Sequence, residues 1–113
     1  MAVDKLTAEE IEVIAPQSKP AYEVGRAYQW VLTQGWVVVG FFVGHGHTPF
    51  ELRCVHLNYY RSAGNQTHAQ LAQNGGNEAT EFEYSGNGFI NFGQIIYCVE
   101  YNGEVPRQAR VRA

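Results

Sequence analysis

Trp36-Val-Val-Val-Gly-Phe-Phe-Val43 decides the fold, because it holds the longest apolar run of the chain, interrupted by Gly40. A short run rich in β-branched and aromatic residues is typical of a strand that is buried on both faces. The run is far shorter than the ~18 apolar residues that a membrane-spanning helix requires. We therefore predict a central strand in a sheet and no membrane span.

The chain on both sides of this stretch also has β character. Before it, Tyr28, Trp30 and Leu32 recur at every second position, so their side chains are expected on one face of a strand. The connections are short, which favours antiparallel neighbours. The predicted strands are Arg26–Thr33, Trp36–Val43, Phe50–Leu57, Thr80–Tyr84, Phe89–Phe92 and Gln94–Tyr101.

Turn residues separate these strands. Ser85–Gly88 contains the dipeptide Asn-Gly and predicts a hairpin turn. Gly93 predicts a bulge, and the polar stretch Ser62–Gln66 predicts a turn. Strict alternation in Phe50–Leu57 places on one face the side chains of Phe50, Leu52, Cys54 and His56.

Two short helices are predicted, at Leu6–Ala15 and at His68–Asn74. The second has a complete set of end signals, because Thr67 and the glutamine three residues later form a capping box and Gly75 can end the helix. A helix this short depends on packing against the rest of the domain.

The expected fold class is α+β, mainly β, as a compact antiparallel sheet or a small open barrel of five to six strands with two short helices. The 113 residues correspond to one domain. We expect residues 1–20 to form an N-terminal helical appendage and linker, residues 21–103 the β-rich domain, and residues 104–113 a polar basic tail. The start of the chain has no apolar core of a signal peptide, which favours a cytoplasmic location.

Composition and charge limit the classes of function. With 45% hydrophobic, 13% aromatic and 17% charged residues, the chain is not of the disordered class. A net charge of -3 argues against bulk nucleic-acid binding. From Val24 to Gly76, however, the sole acid is Glu51, whereas Arg26, Arg53 and Arg61 are basic. The middle of the chain can therefore hold a locally positive site.

A cluster of basic, aromatic and turn residues in this middle region suggests an anion site. Arginines bind phosphate or carboxylate through two parallel hydrogen bonds, tyrosines offer stacking faces, and the first turn of the Thr67 helix offers free N–H groups. The same residues would equally serve packing and helix capping. The candidate ligand-binding residues are Arg53, Tyr59, Tyr60, Arg61, Asn65, Gln66, Thr67, Phe89 and Asn91.

Metal and catalytic motifs are weaker. His45 and His47 form an H-x-H pair to which His56 could add a third zinc or iron ligand, but the pair lies in a glycine-rich loop. Cys54 and His56 would share a strand face, without a third group to orient them. The chain has no G-x-S-x-G, H-E-x-x-H or C-x-x-C motif, so we expect buried free thiols, no cofactor and no enzymatic activity.

The C-terminal arginines offer one more alternative. Arg107, Arg110 and Arg112 lie within six residues and could clamp an anion or a neighbouring subunit. A solvated chain end is the simpler interpretation.

Four segments occur in a characteristic order along residues 32–99, namely GWVVVGFFV (35–43), FELRCVHL (50–57), NYYRSAG (58–64) and THAQLAQNG (67–75). With them, this part of the chain resembles an uncharacterised family of small phage and prophage proteins. Tyr59 and Tyr60 stand where family members carry tryptophans, and Cys98 follows two isoleucines as in the late strand of that family. The resemblance implies a viral accessory protein in the cytoplasm of a bacterial host.

Small phage β proteins without catalytic motifs are often counter-defence factors, and some are oligomers that sequester cyclic or ADP-ribose-derived signalling nucleotides. The first hypothesis is therefore a homo-oligomeric protein that binds a small anionic, nucleotide-like ligand. The alternative is a protein–protein interaction module, either an inhibitor of a host enzyme or a virion accessory protein, because aromatic surplus and apolar strands suit a dry interface. A third hypothesis is a metal-dependent enzyme that uses the three histidines.

Overall fold

The chain folds into one antiparallel sheet of five strands in the order β4-β3-β2-β1-β5. The structure is a computed structural model that describes residues 5–9 and 22–108. In this part of the chain, no helix is long and apolar enough to cross a membrane. The elements are β1 (Ala27–Leu32), β2 (Val37–His45), β3 (Glu51–Ala63), α1 (His68–Asn74), β4 (Thr80–Asn91) and β5 (Ile95–Glu100), with 3-10 turns at Thr33–Gly35 and Phe92–Gln94.

The predicted fold class is confirmed, because the chain is mainly β and its sheet is antiparallel and open. The apolar stretch forms β2, which is the middle strand. Val37, Val38 and Val39 are all buried, although successive side chains point to opposite faces of the sheet, and Gly40 is buried after them. Gly40 is required by close packing, since a Cβ there would lie 2.9 Å from Leu57 Cδ2 on β3.

The connection between β4 and β5 forces the sheet to curl. These two strands are opposite edges of the sheet, and four inter-strand spacings of about 4.8 Å would separate them by about 19 Å if the sheet were flat. The chain from Asn91 to Ile95 spans at most about 14 Å when fully extended, and here it is coiled into a 3-10 turn. Thr33 Oγ1 donates to Gln94 Oε1 at 2.5 Å across this rim. The sheet is therefore a half-open barrel.

Curling gives the sheet two unlike faces. The inner face holds the main core, confirming that Tyr28, Trp30 and Leu32 share one side. The outer face carries a smaller apolar cluster of Val39, Tyr101 and Val105. The buried residues of the inner core are Tyr28, Trp30, Val38, Phe42, Leu52, Cys54 and Ile90.

The helix α1 and residues 101–107 cover part of the outer face. Asn102 N donates to the carbonyl oxygen of Ala72 at 2.7 Å, which joins the two covering segments. Asn58 Nδ2 donates to the carbonyl oxygen of Pro106 at 2.9 Å. Val105 is only 5% exposed, so the prediction of a polar tail from residue 104 is wrong for this part. The sheet supplies the apolar and hydrogen-bonding partners that a local pattern does not reveal.

Two strands are longer than predicted. β3 continues to Ala63, through part of the predicted turn, and β4 runs through the predicted hairpin at Ser85–Gly88. Gly86 has φ +92° and lies at a register shift opposite Leu57, so it makes a bulge within β4. Each long strand is the other's hydrogen-bonding partner, and this pairing outweighs the local turn signal.

The predictions for the two helices have different outcomes. The helix α1 is confirmed with its capping box and with Gly75 at its C-terminal end, at φ +81°. The predicted helix at Leu6–Ala15 and the end of the basic tail lie largely outside the described residues. The predicted bulge at Gly93 is part of a 3-10 turn.

The thiols are free, and Cys54 is buried as predicted, whereas Cys98 is partly buried. Burial raises the pKa of the Cys54 thiol to about 12, that of Cys98 to about 11 and that of the Tyr22 hydroxyl to about 12. An unfolded thiol titrates near pH ~8.5, so above that pH the unfolded state releases protons that the folded state keeps.

We therefore expect stability that is constant between about pH 7 and 8 and falls as the pH rises to about 11. Urea unfolding at a series of pH values measures this through the denaturation midpoint. A midpoint that stays constant through the alkaline range would contradict the raised pKa values.

Candidate ligand-binding site

The candidate ligand residues separate into two groups along β3. Arg53 lies near one end of the strand, with Phe89 and Asn91 on the paired strand β4. Arg61 and the connection that holds Thr67 lie at the other end. Eight residues of strand separate the two arginine backbones by about 26 Å, so the two groups do not line one small pocket.

Tyr59 and Tyr60 point to opposite faces of the sheet. Tyr59 packs against the inner core and meets the ring of Trp36 at 5.4 Å in a T-shaped arrangement. Tyr60 lies on the outer face, 5.0 Å from the ring of Phe82, and its hydroxyl donates to Gln29 Oε1 at 3.2 Å. Burial raises the pKa of Tyr60. Both tyrosines thus serve packing within the domain.

Polar groups near α1 are used within the fold. Gln66 Nε2 donates to the carbonyl oxygen of Gly75 at 3.2 Å, and Thr67 Oγ1 accepts from Gln70 N at 3.1 Å. Asn65 is exposed at a positive φ of 62°. Arg61 is exposed at the edge of this group.

At the other end of β3, Arg53 and Phe89 are cross-strand partners on the outer face. The Arg53 Cζ atom lies 5.8 Å from the centre of the Phe89 ring, which is 50% exposed. The His47 ring lies 6.2 Å from the same ring. Asn91 Oδ1 accepts from Gly93 N at 2.9 Å and so stabilises the 3-10 turn.

A second arginine–aromatic pair lies on the same outer face. The Arg107 Cζ atom lies 4.9 Å from the centre of the Phe41 ring. The His56 ring meets the Phe41 ring at 6.1 Å, and its Nδ1 is 3.0 Å from the Tyr84 hydroxyl. The sequence pattern predicts Phe41 in a strand and Arg107 in the tail. The two residues are far apart in the chain, so no spacing signal joins them.

The two pairs form one continuous surface. Phe41 pairs in register with Val55, which lies two residues from Arg53 on β3. Diagonal neighbours of this kind have backbones about 7–8 Å apart. We call this the arginine–aromatic surface, and its residues are Phe41, Arg53, His56, Tyr84, Phe89 and Arg107.

His56 reaches this surface because the backbone is irregular at that residue. It has φ +53°, an uncommon value for a residue other than glycine, and lies where the β3–β4 register shifts. The prediction that Cys54 and His56 share a face is wrong, since Cys54 points into the inner core. Strict alternation of side chains does not predict a bulge, and the sequence of β3 contains no glycine that would indicate one.

The arginines of this surface are available to an external anion. Among the described residues, the ion pairs are those of Arg26 with Glu23 at 3.1 Å and with Glu100 at 2.7 Å. Arg53 and Arg107 have no carboxylate within salt-bridge distance in this part of the chain. Their guanidinium groups can therefore bind a planar oxyanion, while the rings beneath them offer stacking faces.

The three candidate metal ligands lie in different contacts. His45 meets the Phe42 ring at 5.5 Å, His47 lies near Phe89, and His56 bonds to Tyr84. Within residues 5–9 and 22–108, no group of three or more histidine, cysteine or acidic side chains could hold a metal ion.

The chain matches neither a protein-family model nor a curated protein. The arginine–aromatic surface is the feature of the described residues best suited to bind a ligand. Its chemistry combines positive charge, hydrogen-bond donors and exposed rings.

Proposed function

We propose that this protein binds and sequesters a small, anionic, nucleotide-like ligand on the arginine–aromatic surface, without chemical change. One observation carries the proposal: two arginines, for which the described residues offer no carboxylate partner, each lie over an aromatic ring on the same sheet face. The rings hold the two guanidinium groups in place before a ligand arrives, which lowers the entropic cost of binding.

The charged and the aromatic side chains of the surface would recognise different parts of the ligand. Arg53 and Arg107 would bind phosphate oxygens through charge-assisted hydrogen bonds. The exposed Phe89 ring would stack on the base, with His47 beside it. His56 has one ring nitrogen bonded to the Tyr84 hydroxyl, which leaves the other nitrogen for a ligand oxygen.

The biological role follows from the resemblance to small phage proteins. A protein of this kind in the cytoplasm of a bacterial host would lower the free concentration of a signalling nucleotide and so act against host defence. Sequestration needs tight binding and no catalytic group. Cys54 points into the core and keeps its proton, since burial raises its pKa to about 12, so it takes no part in the proposed site.

Isothermal titration calorimetry with ADP-ribose, a cyclic dinucleotide and inorganic phosphate tests this proposal. We expect one of the two nucleotides to bind and phosphate alone to bind far more weakly. Arg53→Gln and Arg107→Gln should each weaken nucleotide binding by about 10-fold or more, because a hydrogen bond to a charged group contributes about 1.5–3 kcal/mol.

Arg26→Gln is the matched control. It removes the same charge, but from an arginine that is already paired with Glu23 and Glu100, so affinity should be unchanged. Arg61→Gln distinguishes the two ends of β3. Nucleotide binding that depends on Arg61 and not on Arg53 or Arg107 would place the ligand site at the Arg61 end of β3 and overturn the assignment to the arginine–aromatic surface. No nucleotide binding at all would overturn the whole proposal.

The alternative function, a protein–protein interaction module, is favoured by a different patch. Phe50 and Phe92 are 65% and 53% exposed, and Phe92 N donates to the carbonyl oxygen of Phe50 at 2.7 Å, so the two residues adjoin at one rim. Adjacent exposed aromatic residues are common at protein interfaces. A pull-down from bacterial lysate that recovers no stoichiometric host enzyme or virion protein would argue against this function.

A further inference from the structure

β5 is an edge strand whose exposed side chains are mostly apolar. It pairs only with β1, and its other edge has no partner strand among the described residues. Ile96, Tyr97 and Val99 are 61%, 47% and 38% exposed. An edge of this kind offers unpaired N–H and C=O groups together with apolar side chains, which suits the addition of another strand.

The hydrogen-bond register shows which groups of β5 are free. Tyr101 N donates to the carbonyl oxygen of Ala27, its cross-strand partner beyond the end of β5. Because bonded pairs alternate along an antiparallel ladder, Val99 and Tyr97 also bond to β1. The N–H and C=O groups of Cys98 and Glu100 therefore point away from β1, toward the free edge.

The other edge of the sheet differs in charge. β4 carries the exposed acids Glu81 and Glu83, and charged residues protect an edge against strand addition. Pairing β4 of one copy with β5 of another would bring an acidic edge toward Glu100. The free edge of β5 is better matched by a second β5, in which most of the exposed side chains are apolar.

We propose that two copies of this chain pair their β5 strands, antiparallel, about a two-fold axis at Cys98. The free N–H group of Cys98 then donates to the carbonyl oxygen of Cys98 in the second copy, and its own carbonyl oxygen accepts from the N–H group of that residue. In this register Tyr97 lies opposite Val99 of the second copy, and Val99 lies opposite its Tyr97. Glu100 lies opposite Ile96, so no like charges face one another.

This register gives Tyr97 and Val99, two of the exposed apolar side chains of β5, apolar partners in the second copy. Tyr97 and Val99 both lie on the outer face, because their β1 partners are Val31 and Gln29. A two-fold axis perpendicular to the sheet keeps the outer faces of both copies on one side. Each copy thus contributes an aromatic side chain opposite a β-branched one, a favourable cross-strand pair. Glu100 stays bonded to Arg26 of its own chain at 2.7 Å.

Light scattering coupled to size-exclusion chromatography, together with native mass spectrometry, tests the arrangement on the full chain. We expect a dimer for the natural sequence. Tyr97→Lys and Glu100→Pro should each halve the mass to that of a monomer that keeps its circular dichroism spectrum. Proline is tolerated at position 100 of the single chain because the N–H there faces away from β1.

Glu83→Lys is the matched control, because it places the same lysine on the β4 edge and should leave the dimer intact. A natural chain that is monomeric, a larger ring, or a dimer that survives both Tyr97→Lys and Glu100→Pro would each overturn the proposal. Loss of assembly with Glu83→Lys would show that β4 takes part.

Cysteine pairing tests the register itself. Chains with Tyr97→Cys and chains with Val99→Cys, mixed and oxidised, should form a disulfide between the two introduced thiols, identified by peptide mass mapping. Neighbours across a non-hydrogen-bonded pair are close enough for this bond. A dimer whose mixed chains never form that disulfide would overturn the register. The dimer proposal does not depend on the ligand proposed above.

Discussion

Replacement of Trp30 by alanine is expected to lower the free energy of unfolding by about 3–5 kcal/mol, the range for a fully buried tryptophan. Trp30 has no exposed surface and lies between Val38 on β2 and Cys98 on β5 in the inner core. Its ring lies 5.7 Å from that of Tyr28. Alanine would leave a cavity at the centre of the curled sheet, where the surrounding strands cannot close without breaking their register.

Urea unfolding followed by circular dichroism measures this loss, and Trp36→Ala is the matched control. Trp36 is 53% exposed, and its ring meets the ring of Tyr59 at 5.4 Å. Removing that pair should cost about 0.5–1.5 kcal/mol. Equal losses for the two tryptophans would contradict the placement of Trp30 in the core.

Trp30 also illustrates what the sequence predicts well. Its place on the inner face follows from the alternation with Tyr28 and Leu32, and the burial of β2 follows from the run of apolar residues at its start. The ends of α1 follow from Thr67 and Gly75. In each case neighbours in the chain supply the decisive signal, so no knowledge of the tertiary fold is needed.

The remaining features depend on distant partners. The Asn-Gly pair in Ser85–Gly88 has the chemistry of a hairpin turn, yet the long strand β3 keeps it extended within β4. His56 turns to the outer face because of a bulge in β3. On the arginine–aromatic surface, the sequence predicts Arg53 and Phe89 as ligand residues, whereas Arg107 reaches Phe41 only through the path of residues 101–107.

Asn58→Asp is expected to destabilise the protein by about 3–5 kcal/mol at neutral pH, because it would bury a carboxylate without a positive partner. Asn58 has no exposed surface. Its Nδ2 donates to the carbonyl oxygens of His56 and Pro106, both at 2.9 Å. A carboxylate can only accept hydrogen bonds, so both carbonyls would face a negative oxygen.

This loss should depend on pH in a definite direction. The protonated carboxyl can still donate one hydrogen bond, so the site favours the neutral form and raises the pKa of the introduced group above its unfolded value of about 3.9. A raised pKa means that the stability difference from the natural chain is smallest below about pH 4 and grows as the pH rises. Urea unfolding of both chains at low and neutral pH measures it.

Asn87→Asp is the matched control for this substitution. Asn87 is exposed on β4, so the same change of atoms should alter the free energy of unfolding by about 0.5 kcal/mol or less. A loss of unfolding free energy with Asn58→Asp that is the same at low and at neutral pH would contradict the burial of this side chain.

The pairing of the first strand with the last has a consequence for biosynthesis. β1 ends at Leu32, but its partner β5 begins at Ile95, 63 residues later in the chain. During translation at about 5–20 residues per second, the nascent chain passes several seconds with one edge of β1 unpaired. The sheet can therefore be completed only after β5 has been synthesised, and pairing over so long a separation places folding among the slower, millisecond-to-second processes. Chaperones that bind extended apolar segments would therefore have access to β1 before β5 pairs with it.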